Sequence, residues 1–231
     1  MSDSRVTEPP PPLRLHAGTL EALKWLALAL MVLDHVNTFL YGRPWAWAYQ
    51  AGRLVAPIFA FVLAYHLAQP AVEASGAAVR VMRRLAVAGL LASVPFMALI
   101  GRPLPLNILF TLGFGVAMVH ALRQPSRAWH LAAAVIFTVG GALGEFLHPG
   151  LLMFAAAWAY CRQPDAGRLA AWVASVALLV TVNGNLHALL AVPLLLGARW
   201  VDLPLPRVRH LFYAAYPAHL ALLWAWRAGV H

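Results

Sequence analysis

A chain of 231 residues with 62% hydrophobic and only 11% charged residues lacks the polar surface needed to coat a water-soluble globule. Its mean hydropathy of +0.71 comes from apolar stretches along nearly the whole length, so the sequence reads as an integral membrane protein without a separate soluble domain. The net charge of +9 reads as membrane topology rather than nucleic-acid binding, and the single cysteine, Cys161, excludes an internal disulfide framework or a Cys-based zinc site.

The stretch to residue 19, with its Pro9–Pro12 run, lacks the order of a signal peptide and reads as a disordered cytoplasmic tail. Residues 20–231 read as one transmembrane domain. Crossing the hydrocarbon takes about 20 apolar residues in a helix, because only helices or closed barrels satisfy every backbone group there. The runs are rich in Leu and Ala and do not alternate, which favours helices. Spans are predicted near 20–41, 53–69, 83–100, 105–122, 129–146, 149–161, 168–183, 186–199 and 210–227. The expected fold is therefore an all-α, polytopic helical bundle of about nine transmembrane helices, with a range of eight to ten because the sixth and eighth are short enough to be half-helices. With the N-terminus cytoplasmic, this count leaves only Arg43, Arg53, Arg102 and Arg227 of the 17 basic residues on the outer side. No internal repeat is evident, which weakens an inverted-repeat transporter.

Several polar residues are not explained by the bilayer. Asp34 and His35 fall inside the first span, where a charge costs about 3 kcal/mol or more. Lys24 and His35 are 11 residues apart, so they differ by only roughly 20° around the helix and by about 16 Å along it. One face thus carries a cation near the cytoplasmic mouth and an imidazole deep inside. Asp34 diverges from His35 by about 100° and is expected to reach a neighbouring span or to orient the imidazole from the side. A buried structural pair, or a pair sitting at the outer interface, is the alternative.

Arg80, Arg83 and Arg84 sit at the start of a helix, where cations oppose the dipole. They read either as a topology signal or as an anion site whose guanidinium groups fork onto phosphate. Arg53 is placed to hold a carboxylate or an oxyanion near His35, or to anchor in lipid headgroups. Asn107 and Thr111 form a polar stripe that is either interhelical glue or part of a pocket. Glu145 and His148, and the cluster Asn183, Asn185 and His187, are outer-side pocket or loop candidates. Tyr216 and His219 share a face of the last span, with Pro217 loosening the helix between them.

The stretches Leu23-Lys24-Trp25 through Asp34-His35, Gly52-Arg53 with Pro57 to Phe61, Asn107 to Thr111, and Leu211 to Leu220 together resemble the TraX family across about 20–227. That family's founding activity is N-terminal acetylation of conjugative pilin, and it is similar in turn to the wider transmembrane acyltransferases, including acyltransferase-3 proteins. Those carry an Arg, ten intervening residues and then a His in the first span, and a cytoplasmic Arg-x-x-Arg. Here Lys24 and His35 match the first, with Lys for Arg, and Arg80 and Arg83 the second.

The resemblance implies a multi-pass protein of the bacterial inner membrane that uses acetyl-CoA and no metal. In that picture Lys24, Arg80, Arg83 and Arg84 hold the phosphates, and the acyl end follows a water-lined shaft to His35. His35 serves as general base or acyl carrier and Asp34 steadies its imidazolium or sets its tautomer. Arg53 or Asn107 stabilises the oxyanion, and Glu145, Tyr216 and His219 border the pocket. The acceptor is a pilin-like N-terminus or a glycan. A transporter or flippase, or a non-catalytic assembly factor, is the rival reading.

Overall fold

The computed structural model describes residues 13–73, 75–208 and 210–229. Most of the expected tail, residues 1–12 with Arg5, lies outside the described residues, as does Arg209. The elements in chain order are α1 (Ala17–Phe39), α2 (Ala46–Gly52), α3 (Val55–Ala68), α4 (Pro70–Glu73), α5 (Ala77–Ile100) and α6 (Ile108–Leu122). They continue as α7 (Arg127–Leu143), α8 (Leu147–Arg162), α9 (Ala166–Ala177), α10 (Val180–Asn183), α11 (Ala191–Gly197) and α12 (Leu211–Gly229). Single 3₁₀ turns, His187–Leu190 and Ala198–Trp200, flank α11. The described residues contain no strand, only an isolated bridge between Leu106 and Gly144.

Each predicted apolar stretch coincides with a helix or a broken run of helices. Their starts shift for local reasons. α1 begins at Ala17, and Leu13 and Leu15 before it already pack on the bundle, Leu15 donating its amide to the Tyr65 hydroxyl at 3.0 Å. The second stretch begins at Ala46, with a break at Arg53–Leu54 between α2 and α3. α9 is capped by Asp165, which accepts the Arg168 amide at 2.8 Å, and α5 ends on Gly101 in the left-handed region at φ 71°.

Three stretches are long and apolar enough to cross a membrane: Ala46–Ala68, Ala77–Ile100 and Ala166–Asn183. Ile108–Leu122, Arg127–Leu143 and His187–Trp200 are apolar but shorter. Leu90, Leu91 and Val94 on α5 and Leu131, Val135 and Val139 on α7 are all at least 50% exposed. Apolar faces of this kind belong against lipid rather than water.

α1 runs antiparallel to α3, meeting Tyr65 near its start and Arg53 near its end. α12 runs parallel to α1, with Phe212 beside Lys24 and His219 beside His35. It also follows α5 to its end, where Arg227 donates to the Leu99 carbonyl at 3.0 Å. α6 is different. Its first residue sits beside the middle of α5, because Asn107 donates to the Gly89 carbonyl at 3.0 Å. The chain before it enters the bundle in non-helical form, the Leu106 amide donating to the Leu143 carbonyl at 2.8 Å. Such backbone is tolerated inside a membrane protein only where protein buries it or where it lines a cavity.

Candidate functional site

A cavity of about 260 Å³ opens between α1, α3, α5, α6 and α12. Leu20, Lys24, Leu28 and Met31 of α1 line it at helical spacing, and the next residue on that stripe is His35. Lys24, Arg84 and Arg207 form a cationic rim, joined by His66 of α3. The interior is apolar, with Phe59, Val62 and Leu63 from α3, Leu85 from α5, and Leu109 and Leu112 from α6. Lys24 lies 2.5 Å from the Glu21 carboxylate and 4.6 Å above the Phe212 ring. Glu21 is 1% exposed and also accepts the Val208 amide at 3.1 Å.

The arginine cluster divides. Val81, Leu85, Ala88 and Ala92 form the buried stripe of α5, and Arg84 borders that stripe and reaches the cavity. Arg80, one turn before Arg84, and Arg83 are exposed and do not line it. Arg80 instead donates to the Ser75 carbonyl at 2.6 Å. Arg207, which the sequence marks only as a topology charge, takes their place at the rim.

The cavity ends at Met31 and Tyr216, and His35 is not part of its wall. The open shaft expected from the sequence therefore stops one side chain short. Tyr216, 3% exposed, stands edge-on to both rings beyond it, with centroids 6.5 Å from His35 and 5.3 Å from His219. His35 Nδ1 and His219 Nε2 are 2.8 Å apart, and the rings are nearly parallel at 13°. His219 Nδ1 lies 2.9 Å from the Ala215 carbonyl. Phe39 closes another side of His35 at 5.3 Å.

Asp34 belongs to a separate polar group. Its carboxylate pairs with Arg53 across helices and accepts the Thr38 hydroxyl at 3.4 Å. Gly52 makes this approach possible, since a Cβ there would come within 2.6 Å of the carboxylate. Arg53 also donates to the Tyr49 carbonyl at 3.1 Å and to Asn183 Oδ1 at 3.3 Å, and stacks 4.2 Å over the Tyr49 ring. Three of its five N–H donors are thus taken by protein partners, and it does not line the cavity. Nor does Asp34 touch His35, because the two side chains leave the helix about 100° apart. Asn185 donates to the Asn183 carbonyl at 3.1 Å and accepts the His187 amide at 3.1 Å, so this cluster supports Arg53 rather than forming a pocket.

Asn107 is fully buried and caps α6, accepting the Leu109 amide at 3.2 Å while its amide nitrogen holds Gly89. Those bonds withdraw it from any substrate. Glu145, in the turn between α7 and α8, faces the Ile108 amide at the start of α6, which Tyr216 also faces. The structure therefore gathers His35, His219, Tyr216 and Glu145 at the inner end of the cavity. Glu21 and Arg207 were missed as site residues. Glu21 is signalled only by standing three residues before Lys24, and Arg207 by nothing local.

The family described as "TraX protein" matches residues 19–227. Protein TraX of Escherichia coli is 31% identical over 177 residues, a match that takes in 72% of this chain. The chain covers 66% of that relative's length. No solved structure matches.

Proposed function

The chain belongs to the TraX family, and from that membership and the geometry near His35 we propose a membrane-embedded acyltransferase that moves an acetyl group from acetyl-CoA to an amine or hydroxyl. The reading places it in the bacterial inner membrane with about nine spans and a cytoplasmic N-terminus. The rim of Lys24, Arg84 and Arg207 then faces the compartment that holds acetyl-CoA. The arginines fork onto its phosphates, and Lys24 supplies a point charge. The pantetheine arm runs along Leu28 and Met31, and the thioester reaches His35 past Met31 and Tyr216, one helical turn further on.

There the acceptor nitrogen or oxygen attacks the thioester carbonyl while His35 takes its proton. The C–S bond breaks, and the departing thiolate receives that proton. Tyr216 and the Ile108 amide are the donors nearest to a developing oxyanion, in the place that Arg53 and Asn107 were expected to fill. The acceptor is a pilin-like N-terminus or a glycan.

The single observation that carries this reading is the α1 stripe. It leads from a cationic rim along an apolar cavity that ends one helical turn short of His35, a shape suited to a molecule with an anionic head and an apolar reactive arm. Purified protein in nanodiscs with labelled acetyl-CoA and an amine acceptor should release free CoA, and His35→Ala should abolish release while still inserting. Near wild-type turnover in that variant overturns the mechanism. Substrate movement without CoA release would instead identify a transporter, and full biological function with His35→Ala an assembly factor.

A further inference from the structure

We propose that His219 is a positioning residue that fixes the tautomer of His35, so that His35 Nε2 is the lone pair offered to the acceptor. The role in catalysis rests on the acyltransferase reading; the tautomer itself rests on geometry alone. The Ala215 carbonyl can only accept, so at 2.9 Å His219 Nδ1 must carry the hydrogen. In the neutral ring His219 Nε2 is then a lone pair. It lies 2.8 Å from His35 Nδ1, which must therefore carry a hydrogen in turn. The chain from carbonyl to imidazole has one direction, and it ends with an unprotonated Nε2 on His35. The opposite assignment would set two lone pairs against each other at the Ala215 carbonyl.

Among the described residues no carboxylate is hydrogen-bonded to either ring. Asp34, next in sequence, is held by Arg53 and Thr38 on a different side of α1. In familiar triads a carboxylate orients the histidine and steadies the imidazolium. Here a neutral imidazole backed by a peptide carbonyl does so, which suits a buried site where an added anion would be costly.

The arrangement also gives the abstracted proton a route. When His35 Nε2 takes a proton from the acceptor, the Nδ1 proton can pass to His219 Nε2. His35 is then neutral and His219 carries the positive charge beside the Ala215 carbonyl. The reverse transfer returns that proton to His35 Nδ1, and His35 Nε2 delivers the proton it took from the acceptor to the departing thiolate, so the cycle closes without a net gain or loss.

The test uses full-length protein, ¹⁵N-labelled at histidine, in lipid nanodiscs. Solid-state NMR should show His35 with a protonated Nδ1 and an unprotonated Nε2, assigned by the signals lost in His35→Gln. In His219→Gln the amide oxygen can accept from His35 Nδ1 and the amide nitrogen can donate to Ala215, so the same tautomer and a kcat within about tenfold of wild type are expected. In His219→Phe the His35 tautomers should mix and kcat fall about 100-fold or more, with the KM for acetyl-CoA unchanged. A protonated Nε2 on wild-type His35, or an unchanged tautomer in His219→Phe, overturns the proposal. Absence of acetyl transfer from every sample with the stated tautomer intact overturns the acyltransferase reading instead and leaves the tautomer assignment standing.

Discussion

Helix α1 carries two buried carboxylates, and they are handled in opposite ways. Glu21 pairs within its own helix, three residues from Lys24, and the ammonium of that pair still borders a cavity with Arg84 and Arg207. Asp34 pairs across helices with Arg53, whose guanidinium is also held by the Tyr49 carbonyl, Asn183 and the Tyr49 ring. The first pair leaves cationic capacity for a guest. The second is closed off from that cavity, and it fastens α1 to the junction of α2 and α3.

The sharpest way to break this contrast is to remove one half of the closed pair. Asp34→Ala leaves Arg53 buried without its counter-ion and should cost about 3–5 kcal/mol. Thermal unfolding in nanodiscs will show it, and Asp34→Leu with Arg53→Met should recover most of the loss. Gly52→Ala pushes a methyl group into the Asp34 carboxylate and should cost about 1–3 kcal/mol in the same assay. At the open pair the effect should move from folding to binding. Arg84→Gln should raise the KM for acetyl-CoA about tenfold, as expected for one lost charge-assisted hydrogen bond, with little change in Tm. Arg80→Gln, outside the cavity, should leave KM within about twofold; an equal effect from both would sink the division of the arginine cluster.

The smallest effect lies away from both pairs. Asp165 caps α9 in an exposed loop, and the Arg168 backbone amide, with its guanidinium, holds the carboxyl below its ordinary range. A depressed folded value means that its contribution is present above the ordinary carboxylate range and is lost as pH falls through the lowered value. Hydrogen exchange in the first turn of α9 should therefore rise in acid, and Asp165→Asn should flatten that dependence.

The helices were legible because each apolar run is bounded by polar, glycine or proline residues, and because 3.6-residue periodicity put Lys24 and His35 on one face before any partner was known. Arg53 as a counter-ion for a carboxylate was legible from depth alone. The choice of Arg84 over Arg80 and Arg83 was readable only in part, from the stripe Val81, Leu85 and Ala88. The rest depends on contacts between distant parts of the chain. Nothing local to His35 announces a residue 184 positions later at hydrogen-bond distance. Asn107 looked like a pocket residue because a buried cap and a buried ligand have the same local signature. The early start of α6 inside the bundle depends on the Gly89 and Leu143 carbonyls.

The segment from Val201 to Val208 has a bearing on assembly. Thr19 donates to the Val201 carbonyl at 2.5 Å, Gly18 lies so close to Leu203 that an added Cβ would overlap its carbonyl oxygen at 1.6 Å, and Glu21 holds Val208. The start of α1 and the segment before α12 are therefore fastened together at the entrance. A ribosome-bound chain that has emitted only α1 to α11 has no entrance to close, since Arg207, Tyr213 and Tyr216 have yet to emerge. Competence for any guest thus arrives only with the last helix, which makes this the slow, non-local step of biogenesis and a natural checkpoint for quality control.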